Sequence, residues 1–200
     1  MGINEKARLS GSVAYESGPM DRVPWDSAKD WRDDMDSFLH PLGIGTLNPC
    51  NKPSGEQESP TFRKDVQDLK TLGDFDEVTK LMKPICRVDL RMVNKADFLI
   101  ANIDMDTVMF GTVHEIAIAR SIRIPVIVHC KQGKSALPNW IFGVCDHNEM
   151  FGTWQEVKDY IYNIHTGKVD PNPKYWHFFD TSHIFGYGDF IEDKEIKVFL

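Results

Sequence analysis

Short apolar runs alternate along this chain with amphipathic stretches of helical spacing. Phe98–Ala101 is an apolar run bounded by polar residues, which predicts a strand buried on both faces. Pro125–His129 is a similar run, while residues 25–39 and 154–165 carry apolar side chains on one helical face. Strands that alternate with helices at this spacing predict an α/β three-layer sandwich, with a central parallel sheet and right-handed crossovers.

The remaining elements are less regular. Two further strands are predicted at residues 12–15 and 44–47, and a long helical pattern over residues 69–93 is interrupted by Pro84. Residues 50–61 are polar and rich in Pro, Ser and Gly, which indicates either a mobile loop over the strand ends or a surface insertion. We therefore expect strands that are separated by helices and loops of unequal length.

The length of the chain favours one domain. Two hundred residues, 42% of them hydrophobic, suffice for a single sizeable core. We expect one domain over residues 1–200, with the sheet and its helices in residues 12–145, followed by a helix and an aromatic-rich tail in residues 146–200. Residues 175–200 of that tail are open to three interpretations: an edge hairpin, a cover over the core or a subunit contact.

Charge and cysteine usage narrow the function classes. The formal net charge of -7 argues against a protein that binds long nucleic acid, because such proteins usually carry a basic face. The four cysteines are widely spaced and the histidines form no metal-ligand pair with an acidic partner, so we expect free thiols, no metal and no cofactor. No stretch resembles a signal segment or a membrane span, which favours a soluble cytoplasmic protein.

Several acidic residues are predicted to meet at one strand end. The strand at Phe98–Ala101 leads to a helix over residues 112–122, whose first turn holds Glu115 and whose inward side chains are Ile116 and Ala117. Open parallel sheets bind ligands at the carboxyl ends of their strands. The residues that we expect there are Asp89, Asp104, Asp106, Glu115 and the Gly111-Thr112 turn.

Each of these residues also has a structural interpretation. Thr112 and Glu115 have the Thr-x-x-Glu spacing of a capping box, and a carboxylate in the first turn of a helix complements the helix dipole. Asp89 is equally a charge on a helix face, and Asp104 and Asp106 are equally solvated turn residues. The convergence of the whole group is what favours a functional site.

The absence of other motifs in the sequence directs attention to carboxylate chemistry. Neither phosphate-binding glycine fingerprint follows a predicted strand, and no Gly-x-Ser-x-Gly nucleophile turn occurs. A Glu beside Asp partners can attack an anomeric carbon through an oxocarbenium-like transition state and form a glycosyl ester, while an Asp handles the proton of the leaving group. The spacing of the acidic residues permits this division of labour.

A series of short segments between residues 12 and 145 follows the predicted elements in a specific order. They are Tyr15, Ser17-Gly18-Pro19, Asn48-Pro49, Asp89-Leu90, residues 94–97, Asn102-Ile103-Asp104, residues 111–116, and Asn139 ahead of Phe142-Gly143-Val144. In these segments the chain resembles the nucleoside 2-deoxyribosyltransferase family and its relatives that hydrolyse nucleotide N-glycosidic bonds. The resemblance implies a flavodoxin-like sandwich that assembles into dimers or higher oligomers.

The resemblance also implies roles for individual residues. Glu115 is the implied nucleophile, which attacks C1′ and holds the sugar as an ester. Tyr15 is implied to orient Glu115, and Asp89 to contact the base and assist its proton transfer. Asp104 or Asp106 is implied to bind the sugar hydroxyls, and Asn139 to reach into a neighbouring subunit's site. The other implied substrate-binding residues are Ser17, Gly18, Pro19, Asn48 and Gly111.

Alternatives remain for the reaction and for the class of protein. The favoured reaction is transfer of the sugar to a second base. The alternative is hydrolysis of a (deoxy)nucleoside 5′-monophosphate, in which water attacks the ester. Ser17, Arg22, Lys134 and Ser135 lie on predicted loops, as phosphate ligands or as solvated residues. A nucleotide-binding module would not need Glu115, and an interaction protein would use the aromatic tail.

Overall fold

The central sheet has five strands, all of them parallel. The computed structural model describes residues 7–52 and 58–176, and the strands pair in the order β2-β1-β3-β4-β5. The strands are β1 (Val13–Ser17), β2 (Gly45–Leu47), β3 (Phe98–Ile103), β4 (Val126–Cys130) and β5 (Met150–Phe151). This order is that of flavodoxin-like folds, so the predicted fold class is confirmed. Part of the predicted 50–61 loop and most of the predicted tail lie outside the described residues.

Helices cover both faces of the sheet. They are α1 (Trp25–Leu39), α2 (Pro60–Leu72), α3 (Phe75–Lys95), α4 (Phe110–Ser121), α5 (Asn139–Val144) and α6 (Trp154–His165). α1 and α6 pack on one face around Met35 and Ile161, and α3 and α4 pack on the other around Val93 and Ile116. Because both faces are covered, β3 and β4 are apolar and buried along almost their whole length. In the described ranges, no helix is long and apolar enough to cross a membrane.

The two amphipathic helices with the clearest pattern lie where the sequence predicts them. α1 spans the predicted residues and buries Ala28, Met35 and Leu39. α6 also has the predicted bounds, and it begins with a capping box in which Thr153 and Glu156 bind each other's backbone N–H groups. In both helices the spacing of the apolar residues determines which side faces the sheet.

The long helical pattern over residues 69–93 divides at a different place from the one predicted. Pro84 lies inside α3 without ending it, and the break instead falls at Gly73 and Asp74. Gly73 adopts a left-handed conformation at φ +77 and ends α2, while the Asp74 side chain accepts a hydrogen bond from the Glu77 N–H group and caps α3. Packing of the following turns, around Ile85 and Leu90, outweighs the hydrogen bond that Pro84 cannot donate.

The observed α4 corrects three predictions. Its N-cap is Met109 and no side chain caps it, so the capping-box interpretation of Thr112 and Glu115 is wrong. Ala117 is exposed rather than inward, because the buried face runs through Thr112, Ile116 and Ala119 at helical spacing. Glu115 therefore lies beyond the first turn of α4, and its carboxylate is free for another partner.

The register of β1 against β3 determines where the site lies. Tyr15 pairs with Leu99 and Ser17 with Ala101, so the carboxyl ends of the two strands meet at one edge. Side chains alternate along a strand, which directs Tyr15 and Ser17 to one face of the sheet and Glu16 to the other.

Candidate functional site

Glu115 accepts hydrogen bonds at both of its carboxylate oxygens. The Tyr15 hydroxyl donates to Oε1 at 2.7 Å, and the Ser17 hydroxyl donates to Oε2. The two donors come from one strand at alternate positions, and the acceptor comes from the second turn of α4, which packs over that strand. The orientation of the carboxylate is therefore fixed by two elements that are themselves buried in the core.

Burial and hydrogen bonding act in opposite directions on this carboxyl group. The pKa of Glu115 is raised to about 7, chiefly by loss of solvation and also by the negative charge of Asp89. The hydrogen bonds from Ser17 and Tyr15 lower the pKa because they favour the charged form. The same surroundings raise the pKa of Tyr15 well above its ordinary value, so Tyr15 remains a hydroxyl donor at neutral pH.

The loop after β1 is held from behind by α1. A Cβ atom at Gly18 would lie 2.8 Å from the Trp31 ring, which is closer than packed side chains allow, so this position requires glycine. The fully buried Arg32 donates to the carbonyl of Glu16 at 3.1 Å, to the carbonyl of Gly18 at 3.2 Å and to the carbonyl of Ala28. Arg32 thus fixes the backbone that carries Ser17 and Gly18.

Glu16 is buried on the opposite face of β1. It has no exposed surface, and neither of its carboxylate oxygens has a hydrogen-bond partner among the residues that the structure describes. The pKa of Glu16 is raised to about 9, chiefly by burial and also by the neighbouring Asp36, against the opposing effect of Arg32. Glu16 is therefore uncharged at neutral pH and belongs to the support of the site.

Asp89 forms a buried ion pair beside this arrangement. Its Oδ1 lies 2.7 Å from Nζ of Lys52, and the two side chains are 19% and 1% exposed respectively. Burial raises the pKa of Asp89, while the Lys52 ammonium group lowers it. The charge of Asp89 raises the pKa of both Tyr15 and Glu115, which places Asp89 electrostatically next to the carboxylate.

Asp104 and Asp106 follow β3 at the same edge of the sheet but have other partners. Asp104 accepts hydrogen bonds from Lys131 at 2.8 Å and from Gln132 at 2.7 Å, and Asp106 accepts one from Gln132 at 3.0 Å. Asp104 also lines a cavity of about 290 Å³ on the α1 and α6 side, together with Trp31, Asn102, His129 and Trp154. The described contacts therefore join Asp104 and Asp106 to each other rather than to Glu115.

The remaining predicted residues occupy three kinds of position. Gly18 and Pro19 are buried in the loop after β1, and Pro19 lines the cavity on the α1 and α6 side. Asn48 is buried in the turn after β2, where its side chain accepts a hydrogen bond from the Cys50 N–H group. Gly111 is exposed in the first turn of α4. Asn139 is exposed at the start of α5.

Sequence reasoning missed two residues and assigned a third differently. Ser17 was expected to bind substrate, whereas its hydroxyl bonds Glu115, which the alternation with Tyr15 along β1 would have indicated. Arg32 gave no signal, since it stands among other charges of α1. Lys52 gave none either, because its partner Asp89 is distant in the sequence and no motif joins the two.

Comparison with known proteins identifies a solved structure with a similar fold. The sequence matches no protein-family model and no curated protein. The structure resembles a solved 2-deoxyribosyltransferase of the psychrotolerant bacterium Bacillus psychrosaccharolyticus, with a TM-score of 0.53 and 16% sequence identity. The match covers 80% of this chain and 99% of that enzyme, which is described as a biocatalyst for nucleoside synthesis. At this level of identity, the likeness shows that the two proteins share a flavodoxin-like α/β fold.

Proposed function

We propose that this chain is a nucleoside 2-deoxyribosyltransferase, which cleaves the N-glycosidic bond of a (deoxy)nucleoside and transfers the sugar to another base. The observation that carries the proposal is the paired donation from Tyr15 and Ser17 to the two oxygens of Glu115. Such donors orient a carboxylate and favour its anionic form, as a nucleophile requires. The activity of the structural neighbour supports the same class of reaction.

The proposed reaction has two displacements at one carbon. One oxygen of Glu115 attacks C1′ while the electron pair of the C1′–N bond leaves with the base, through an oxocarbenium-like transition state. The departed base takes a proton from water. A second base then attacks C1′ through a ring nitrogen, loses the proton of that nitrogen to water and restores the carboxylate. Asp89 contacts the base. Of the two candidate sugar ligands, we favour Asp104 because it is partly buried directly after β3, whereas Asp106 is exposed.

A chromatographic assay tests the proposal. The purified protein is incubated with deoxyribonucleosides or their 5′-monophosphates, with and without a second free base, beside a Glu115→Ala control. A new nucleoside that forms only with the acceptor base establishes transfer. Free base together with free sugar or sugar phosphate would instead establish hydrolysis, the alternative reaction. Absence of turnover, or full activity of Glu115→Ala, would contradict the assignment of the nucleophile.

The hydrogen bonds to Glu115 should be visible in the pH profile of activity. The anion is the nucleophile, so kcat/KM should rise with pH through the pKa of Glu115, which is about 7. Tyr15→Phe and Ser17→Ala each remove a donor that lowers this pKa, and each should move the acid limb upward by about one pH unit. Tyr162 is an exposed tyrosine on α6, and Tyr162→Phe is the control, which should leave the acid limb in place. An acid limb that stays in place in both variants would show that Glu115 is not the titrating group.

We also propose that the protein is a homo-oligomer with shared active sites. Asn139 is exposed at the start of α5, next to the exposed apolar side chains of Trp140 and Phe142, and Phe110 at the start of α4 is 85% exposed. Exposed apolar side chains of this size favour a protein contact. Asn139 would enter the site of the neighbouring subunit.

A charge in this surface should disrupt the assembly. Trp140→Asp is expected to shift the protein from an oligomer to a monomer in light scattering and to lower transfer activity, without loss of fold because the side chain is 76% exposed. Tyr162→Asp on α6, at 43% exposure, is the matched control and should change neither property. A parent protein that is already monomeric at assay concentration would overturn the proposal.

A further inference from the structure

Lys52 and Asp89 present two complementary groups side by side. The ammonium nitrogen and the carboxylate oxygen are 2.7 Å apart, and both side chains are largely withdrawn from solvent. A buried lysine is costly unless it is paired, so Asp89 holds the ammonium group in place. An ammonium group only donates hydrogen bonds and a carboxylate only accepts them. The pair therefore offers a fixed donor next to a fixed acceptor.

The position of the pair relative to Glu115 connects it with the departing base. α3, which carries Asp89, packs beside α4, which carries Glu115, on the same face of the sheet. The charge of Asp89 acts on both Glu115 and its donor Tyr15. In the proposed transfer, which this inference rests on, C1′ lies at Glu115 and the base extends from that carbon. A base edge that is turned towards α3 would then meet Asp89 and its partner.

We infer that the Lys52–Asp89 pair recognises the lactam edge of a base, so that the substrates are nucleosides of oxo bases. A lactam presents a carbonyl oxygen, which accepts from Lys52, next to a ring N–H group, which donates to Asp89. Hypoxanthine, guanine, uracil and thymine all have this edge. Adenine and cytosine present an amino group and an unprotonated ring nitrogen there. The amino donor would face the ammonium donor of Lys52, and the ring nitrogen acceptor would face the carboxylate acceptor of Asp89.

The same contact assists departure of the base. When the C1′–N bond breaks, its electron pair stays on the base and is delocalised onto the lactam carbonyl oxygen, while a C1′–O bond to Glu115 forms. The Lys52 ammonium group beside that oxygen stabilises the developing negative charge. The ring N–H proton remains on the base, bonded to Asp89, and the base anion takes a proton from water after release. A base with an amino group in this position gains nothing from Lys52.

The test compares two pairs of substrates that differ at this edge. kcat/KM is measured for deoxyinosine against deoxyadenosine and for deoxyuridine against deoxycytidine, each with one common acceptor base. The parent protein should prefer the oxo member of each pair by about tenfold or more. Lys52→Met should lower kcat/KM for the oxo substrates by about 10- to 100-fold more than for the amino substrates, so that the preference for the oxo member of each pair is lost. Lys80→Met, an exposed ion-pair lysine on α3, is the matched control.

Further arms separate recognition from folding and from turnover. Lys52→Arg keeps the charge and should keep part of the preference for oxo substrates, and circular dichroism establishes whether each variant folds. Calorimetry on the Glu115→Gln variant compares the binding of free hypoxanthine and adenine without any reaction. Tighter binding of hypoxanthine with no turnover by the parent supports the recognition and overturns the proposed transfer. Equal binding of the two bases, or an equal loss on all four substrates in Lys52→Met, overturns the inference.

Discussion

Replacing Glu115 by glutamine should abolish the proposed glycosyl transfer and, at the same time, raise the stability of the folded protein at pH 8. The amide cannot form the glycosyl ester, so kcat should fall by about 10³-fold or more. The stability effect arises because burial raises the pKa of this carboxyl group from 4.5 to about 7. Between these two values the folded state binds more protons than the unfolded state, so the free energy of unfolding of the parent falls as the pH rises.

The expected difference between variant and parent has a definite pH dependence. It should be near zero below the unfolded pKa of 4.5, grow as the pH rises towards 7, and level off above that value. We expect about 1–3 kcal/mol in favour of Glu115→Gln at pH 8, since each pKa unit corresponds to about 1.4 kcal/mol and some hydrogen-bond energy is lost with the carboxylate. Urea unfolding at pH 5, 6, 7 and 8 measures it.

A second buried carboxyl group provides the control for this experiment. Burial also raises the pKa of Glu149 to about 7, but Glu149 precedes the edge strand β5, which β3 and β4 separate from β1 and its partner Glu115. Glu149→Gln should therefore show the same direction of pH-dependent stability change while it retains transfer activity. A Glu115→Gln variant that is no more stable at pH 8 than at pH 5, relative to the parent, would show that the folded-state pKa is not raised.

The second large effect concerns Arg32. Its guanidinium group is fully buried, donates to three backbone carbonyls and lies 4.5 Å from the centre of the Trp31 ring. Arg32→Met should lower the free energy of unfolding by about 3–5 kcal/mol, because those carbonyls lose their donor in a region without water access. The remaining folded protein should have reduced activity, since the backbone at Ser17 and Gly18 loses its support.

Two further variants test whether the loss of stability in Arg32→Met comes from the three carbonyl contacts. Lys29→Met lies on the same helix and removes an exposed ion pair with Asp33, so its unfolding curve should nearly coincide with that of the parent. Arg32→Lys keeps the charge but cannot reach three carbonyls, so it should recover only part of the stability. If Arg32→Met unfolds like Lys29→Met, the carbonyls have found other donors and the support that we describe is not needed.

The sequence predicts those parts of the fold in which periodicity and burial coincide. The apolar run at 98–101 and the face of α1 through Ala28 and Met35 are such cases, because a strand or helix that packs against the sheet has to repeat its apolar residues at its own period. The break at Gly73 and Asp74 also has a sequence signal, because Gly often ends a helix and Asp often caps the next one. Pro84 was the stronger local signal, yet tertiary packing overrode it.

The residues of the candidate site also differ in how far the sequence predicts them. Glu115 is predicted from its place in the helix that follows a buried strand, whereas Tyr15 is implied only by the resemblance to the deoxyribosyltransferase family. The pairing of Lys52 with Asp89 depends on how the turn after β2 approaches α3, and no local pattern encodes that approach. β5 was missed for another reason: two residues are too few to show a period.

The alternation along β1 limits how this protein can be engineered. Tyr15 and Ser17 serve the carboxylate on one face while Glu16 fills the core on the other, so an insertion or deletion that shifts this strand by one position would exchange the two faces. A redesign of the proposed base specificity should leave β1 and α1 intact. The turn that carries Lys52 and the exposed side of α3 are the parts that a library of variants can sample.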